Sequence, residues 1–131
     1  MATTNKVYVK RLEKWADTLE EGKWKQARQE WFILKDGTRS RAMWGVINKL
    51  PKKPEDGKAC CLTVAHALIP KKLNTPVNYS VISNVLCDYY GLKEGVSKFV
   101  DMNDKKRYSF NRIAKYIREK VIPSLDKVTT R

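Results

Sequence analysis

Between Asp56 and Pro70 the chain reads Asp-Gly-Lys-Ala-Cys-Cys-Leu-Thr-Val-Ala-His-Ala-Leu-Ile-Pro, and from Ala59 to Ile69 only Thr63 and His66 interrupt the apolar run. A helix that is apolar on nearly every side belongs inside a protein rather than on its surface. Asp56-Gly57 is a turn pair ahead of the run and Pro70 a stop behind it, so both ends are marked. A buried strand is the competing reading, but the run is long for a strand, and its alanines and Leu62 favour helix. The expectation is a central helix over 59–69 with the remaining chain packed around it.

Working outward, residues 5–21 place Tyr8, Leu12, Trp15, Ala16 and Leu19 on one helical face, and Gly22 is positioned to end that helix. On the far side, residues 79–90 align Ile82, Val85, Leu86 and Tyr89, with Gly91 as the stop. Residues 91–104 read as irregular, anchored by Phe99, Val100 and Met102. Ser109 then N-caps a last helix whose stripe is Phe110, Ile113, Ala114, Ile117 and Val121, and Pro123 is its expected end. Trp31 to Leu34, the Asp36-Gly37 turn and the apolar patch Ala42 to Ile47 predict a β-hairpin. A helix over 40–49, capped by Ser40, is the alternative for the second limb. Residues 50–57, with Pro51 and Pro54, read as a loop. The predicted fold is α+β and helix-dominated, with about four helices around the 59–69 helix and one small hairpin. It forms one compact basic domain over 1–123, followed by a polar tail over 124–131.

At 131 residues the chain can bury a core without disulfide or metal support. No run approaches the roughly 18 apolar residues of a membrane span, and Met1 to Arg11 lacks the apolar centre of a signal peptide. Cys60, Cys61 and Cys87 suggest no disulfide framework, and free thiols in the cytoplasm are expected. The charge is the loudest signal: 27 Lys and Arg against 14 Asp and Glu give +13. A field of that sign and size draws polyanions, whether nucleic acid, nucleotide or an acidic protein face.

Two basic stretches carry the binding expectation. One gathers Lys23, Lys25, Gln26, Arg28, Arg39 and Arg41 around Trp24 and Trp44; the other runs from Lys105, Lys106 and Arg107 through Tyr108 to Arg112, Lys115 and Arg118. Cations interleaved with aromatics can hold phosphates while stacking a base, and the start of the last helix adds free N–H groups beside them. Dispersed, solvated lysines are the plainer account, with Trp24 covering the edge of the core. The sequence leaves open whether the stretches meet in one subunit or across a homodimer.

Catalytic and metal chemistry find little support. His66 follows Cys61 by five residues, which on a helix points the two about 140° apart. His66 instead shares an edge with Thr63 and is expected as a buried, hydrogen-bonded histidine. The adjacent cysteines lack the C-x-x-C spacing of a metal site, and no glycine-rich phosphate loop is present. No cofactor is expected, and the protein reads as a non-enzymatic binder.

The chain also carries Gly-Lys-Trp-Lys-Gln at 22–26, Asp-Gly-Lys-Ala-Cys-Cys-Leu at 56–62, Tyr-Gly-Leu at 90–92, Met-Asn-Asp at 102–104 and Ser-Phe-Asn-Arg-Ile-Ala-Lys-Tyr-Ile at 109–117. In this order it resembles a group of small proteins encoded by bacteriophages and prophages. Thr63 stands where that group has Gly, and residues 37–55 look like added sequence. The resemblance implies a phage origin and a place in the infected bacterial cytoplasm, but no particular activity. Asn103 and Asp104 either bond loop backbone ahead of the last helix or reach a ligand. The expected function is host takeover or counter-defence, by sequestering a nucleotide-type ligand or blocking an acidic host protein. The alternative is nucleic-acid binding through the basic and aromatic surfaces.

Overall fold

The computed structural model describes residues 5–40, 50–70 and 79–129. Helix α1 (Asn5–Glu20) buries Leu12, Trp15, Ala16 and Leu19, the stripe its periodicity predicts. Gly22 leaves the helix at φ 77°, a conformation that costs other residues a Cβ clash.

A small sheet follows. Strands β1 (Lys25–Gln26), β2 (Phe32–Leu34) and β3 (Gly57–Ala59) run in the order β1-β3-β2, with β3 parallel to β1 and antiparallel to β2. The expected loop over 50–57 holds up to a 3-10 turn at Pro54–Asp56, but the central strand takes its last residue, Gly57, and corrects the reading of 59–69 as continuous helix. Residues 57–59 are captured by both neighbours: Ala27 N donates to Ala59 O at 2.9 Å, and Cys60 N to Trp31 O at 2.9 Å. The apolar run is therefore divided between a strand and the helix α2 (Cys61–Ala67). Gly57 makes the β2–β3 approach feasible, since a Cβ there would lie 2.2 Å from Ile33 O. The Asp36-Gly37 turn forms, with Gly37 N donating to Leu34 O at 2.9 Å and Ile33 bridging Arg39. The ladder partner of β2 is nonetheless β3, and the hairpin's second limb, with Trp44, lies outside the described residues.

Helix α2 sits in the middle of the molecule, as its composition demands, with every residue from Cys61 to His66 buried. Its carbonyls are met by aromatic donors from other helices: Trp15 Nε1–H bonds Cys61 O at 3.0 Å, and the Tyr90 hydroxyl bonds Ala65 O at 2.6 Å. Trp15 packs 4.8 Å from Phe99 and 5.1 Å from Tyr90 between ring centroids. Each such ring contributes a few kcal/mol through burial, and truncation of a buried tryptophan costs about 3–5 kcal/mol.

Helix α3 (Tyr79–Tyr90) has the predicted span. The stretch read as irregular instead holds α4 (Ser97–Val100), which passes directly into a π turn over Asp101–Lys105. After Ser109, whose hydroxyl accepts from Arg112 N at 3.2 Å, the last helix runs as α5 (Phe110–Tyr116), a π turn (Ile117–Val121) and α6 (Ile122–Thr129). Pro123 does not end it. The i→i+5 bond from Ile122 N to Ile117 O has already shifted the ladder where the proline can offer no N–H. Helix α6 thus occupies most of the expected polar tail, and Leu125 is buried. Among the described residues no helix is long and apolar enough to cross a membrane.

Candidate functional site

Helix α2 begins without a local cap: Cys60 is the N-cap residue, and its side chain makes no capping bond. The missing acceptor comes from a distant segment. Asn103, 1 % exposed in the π turn after α4, places Oδ1 3.3 Å from Cys61 N. The same oxygen accepts from Gln26 Nε2 at 2.9 Å. Its Nδ2 donates to Ala27 O and to Asp104 Oδ1, both at 2.8 Å. All four hydrogen-bonding positions of the amide are thereby used. The Lys-Gln, Cys-Cys-Leu and Asn-Asp segments, far apart in sequence, meet at one side chain.

The junction continues outward. Gln26 Nε2 also donates to Tyr108 O at 2.8 Å, and Asp104 Oδ1 accepts from Gln29 N at 2.7 Å. Gln29 and Arg107 are the non-glycine residues described with positive φ, at 64° and 55°. Each such backbone costs roughly 1–2 kcal/mol and persists where the surroundings hold it, as the Asp104 carboxylate holds Gln29 here. Nothing in a glutamine or an arginine announces this conformation in advance.

Over this junction the two basic stretches come together. Arg28 Nη2 reaches Arg107 O at 3.3 Å and Gln26 Oε1 at 3.4 Å. The Arg112 guanidinium lies 3.8 Å from the centroid of the Tyr108 ring, and Lys106 Nζ lies 5.8 Å from it. Lys115, exposed three residues after Arg112 on α5, extends the same face. Among the described residues, Arg28, Lys106, Arg107, Arg112 and Lys115 make no ion pair. All five side chains are exposed.

Other expected residues are placed differently. Trp24 is buried at 7 % exposure, so its ring packs in the core and is not open to a base. Lys25 precedes Gln26 on β1 and points to the opposite side of the strand. Lys23 lies 3.9 Å from Glu21, and Arg39 bonds the buried carboxylate of Glu30 at 2.6 Å. Lys105 lines a groove that it shares with the carboxylates of Asp101 and Asp104. Arg41 lies outside the described residues.

The interior groups are held neutral. Burial pushes the Cys61 thiol well above its usual range, reinforced by Cys60 and then Asp104, and its Sγ–H points at Phe99 O, 3.7 Å away. Burial likewise raises Cys60, whose sulfur contacts Thr63 Oγ1 at 3.5 Å. His66 is lowered to about 4, by burial and then by the charge of Lys52. These thiols stay protonated and the imidazole uncharged at neutral pH, the opposite of an activated thiolate–imidazolium pair. The cleft beside Asn103, lined by Gln29, Trp31, Cys61 and Asp104, encloses about 120 Å³, room for about four waters. Among the described residues no group of acidic, cysteine and histidine side chains could hold a metal ion. Compared with protein-family models, curated proteins and solved structures, the chain shows no significant match.

Proposed function

We propose that the protein is a non-enzymatic nucleic-acid-binding protein of an infected bacterial cell, acting through the cationic face over the Gln26–Asn103 junction. The observation that carries this reading is the convergence of Arg28 with Arg107, Tyr108 and Arg112 on a rigid, hydrogen-bonded base. Unpaired guanidinium groups bind phosphates strongly because no internal carboxylate competes for them. The outer face of Arg112, stacked on Tyr108, offers a nucleobase a cationic surface on which to continue the stack. The face is open, and the adjoining 120 Å³ cleft is too small for a nucleotide, so an extended polyanion suits it better than a sequestered small molecule. Takeover of the host, or defence against it, would follow from occupying nucleic acid that the host needs.

Incubation with bacterial lysate, repurification, and analysis of bound material by absorbance and mass spectrometry test this proposal. Polymeric nucleic acid held at low salt and lost at high salt is expected. A discrete nucleotide retained at high salt on this face, or a bound acidic protein with no nucleic acid, would overturn it.

A further inference from the structure

A second cavity, of about 520 Å³, opens on another face, between the Gly91–Lys98 segment and the last helix. Its volume lies within the range of small-molecule sites. Leu92, Phe99 and Leu125, all buried, form an apolar floor. Tyr116 stands at the wall, its ring edge-on to Phe99 at 5.9 Å and 85°. Around the mouth lie Lys93, Lys98 and Lys120, with Glu94 as the acid among the lining residues. Lys98 Nζ donates to Glu94 at 3.3 Å, a hydrogen bond that raises its pKa. Three lysines against one glutamate leave two positive charges uncompensated. An apolar floor, an aromatic wall and a net charge of two describe a complementary ligand: an apolar or aromatic body carrying a phosphate monoester, which bears about −1.5 to −2 at neutral pH.

We propose that this cavity binds a small aromatic phosphate monoester of mononucleotide size. The phosphate sits among Lys93, Lys98 and Lys120, and the ring lies against Tyr116 and Phe99. This site is separate from the Arg28–Arg112 face and stands whether or not that face binds nucleic acid.

The test is a titration of the isotope-labelled full chain with adenosine 5′-monophosphate, adenosine and inorganic phosphate, followed by amide NMR shifts. At about 5 mM, where a ligand of about 1 mM Kd is mostly bound, the monophosphate is expected to shift residues 91–98 and 116–121. It should bind at least tenfold more tightly than adenosine or phosphate alone. The exposed changes Lys98→Gln and Lys120→Gln should together weaken it by roughly tenfold while leaving the spectrum folded. Equal binding of phosphate alone, shifts confined to residues 26–29 and 105–112, or no shift at all would overturn the proposal.

Discussion

Arg112 and Arg118 lie on the same helical run, less than two turns apart, and a count of charge treats them alike. Arg112 stacks on Tyr108 and meets no carboxylate. Arg118 reaches across to α1, where Asp17 and Glu20 both accept from its guanidinium. Hydrogen bonds to Asp17 and then Glu20 raise its pKa further, and its charge is satisfied within the molecule. The difference lies in what the neighbouring element offers. Helix α1 packs along both halves of the last helix, but its terminal acids meet Arg118, whereas Arg112 lies over Tyr108, in the segment that Gln26 and Arg28 also reach. A net charge of +13 therefore says little about binding until the internally neutralised cations are set aside.

The largest effect should come from reversing the three arginines of the unpaired set. The triple variant Arg28→Glu, Arg107→Glu and Arg112→Glu is expected to weaken binding of a labelled oligonucleotide by roughly 100-fold or more at low salt, as read by anisotropy. Thermal stability should barely change, because these side chains are exposed. An unchanged affinity would break the contrast between the two arginines.

Asn103→Ala removes the base rather than the cations. It strands Cys61 N, Ala27 O and the Gln26 amide, with an expected cost of about 3–4 kcal/mol in urea unfolding. A loss under about 1 kcal/mol would mean that water replaces the amide and the junction is not a lock.

Acid separates buried groups from surface ones. The folded pKa of His66 lies below the ordinary 6.5, at about 4, so the unfolded chain takes up this proton first. The contribution is fully present above about pH 6.5 and falls as pH drops toward 4, by up to about 3 kcal/mol. His66→Gln should flatten that part of the stability profile. His66 lies away from the arginine face, so oligonucleotide affinity of the folded protein should show no matching transition.

The smallest effect sharpens the comparison from the other side. Arg118→Ala is expected to cost no more than about 1 kcal/mol, the range of exposed ion pairs, and to leave oligonucleotide affinity unchanged.

Much of the helical framework was legible because local pattern and burial agree. The Leu12–Trp15–Leu19 stripe, the 79–90 helix and the Ser109 cap are short-range signals that packing reinforces. Strand β3 was not legible. It is three residues long, pairs with segments on both sides in space, and depends on a close approach at Gly57 rather than on any period-2 pattern. The continuation past Pro123 was hidden because a π turn shifts the ladder. At the site, residue types could mark Arg28, Tyr108 and Arg112 as candidates, but not their convergence, which Asn103 sets from more than seventy residues away. Trp24 and Arg39 misled because composition cannot show that a ring is buried or that a guanidinium already serves Glu30. Lys93, Lys98 and Lys120 sit too far apart in sequence to form any local motif.

The central claim is that oligonucleotide binding belongs to the unpaired cations of the Arg28–Arg112 face. The most direct test is the salt dependence of oligonucleotide affinity for the unaltered chain and the triple arginine variant, between about 50 and 200 mM salt. The account predicts a slope of about −3 in log affinity against log salt for the unaltered chain, reduced by about two in the variant. Equal slopes for the two proteins would contradict it.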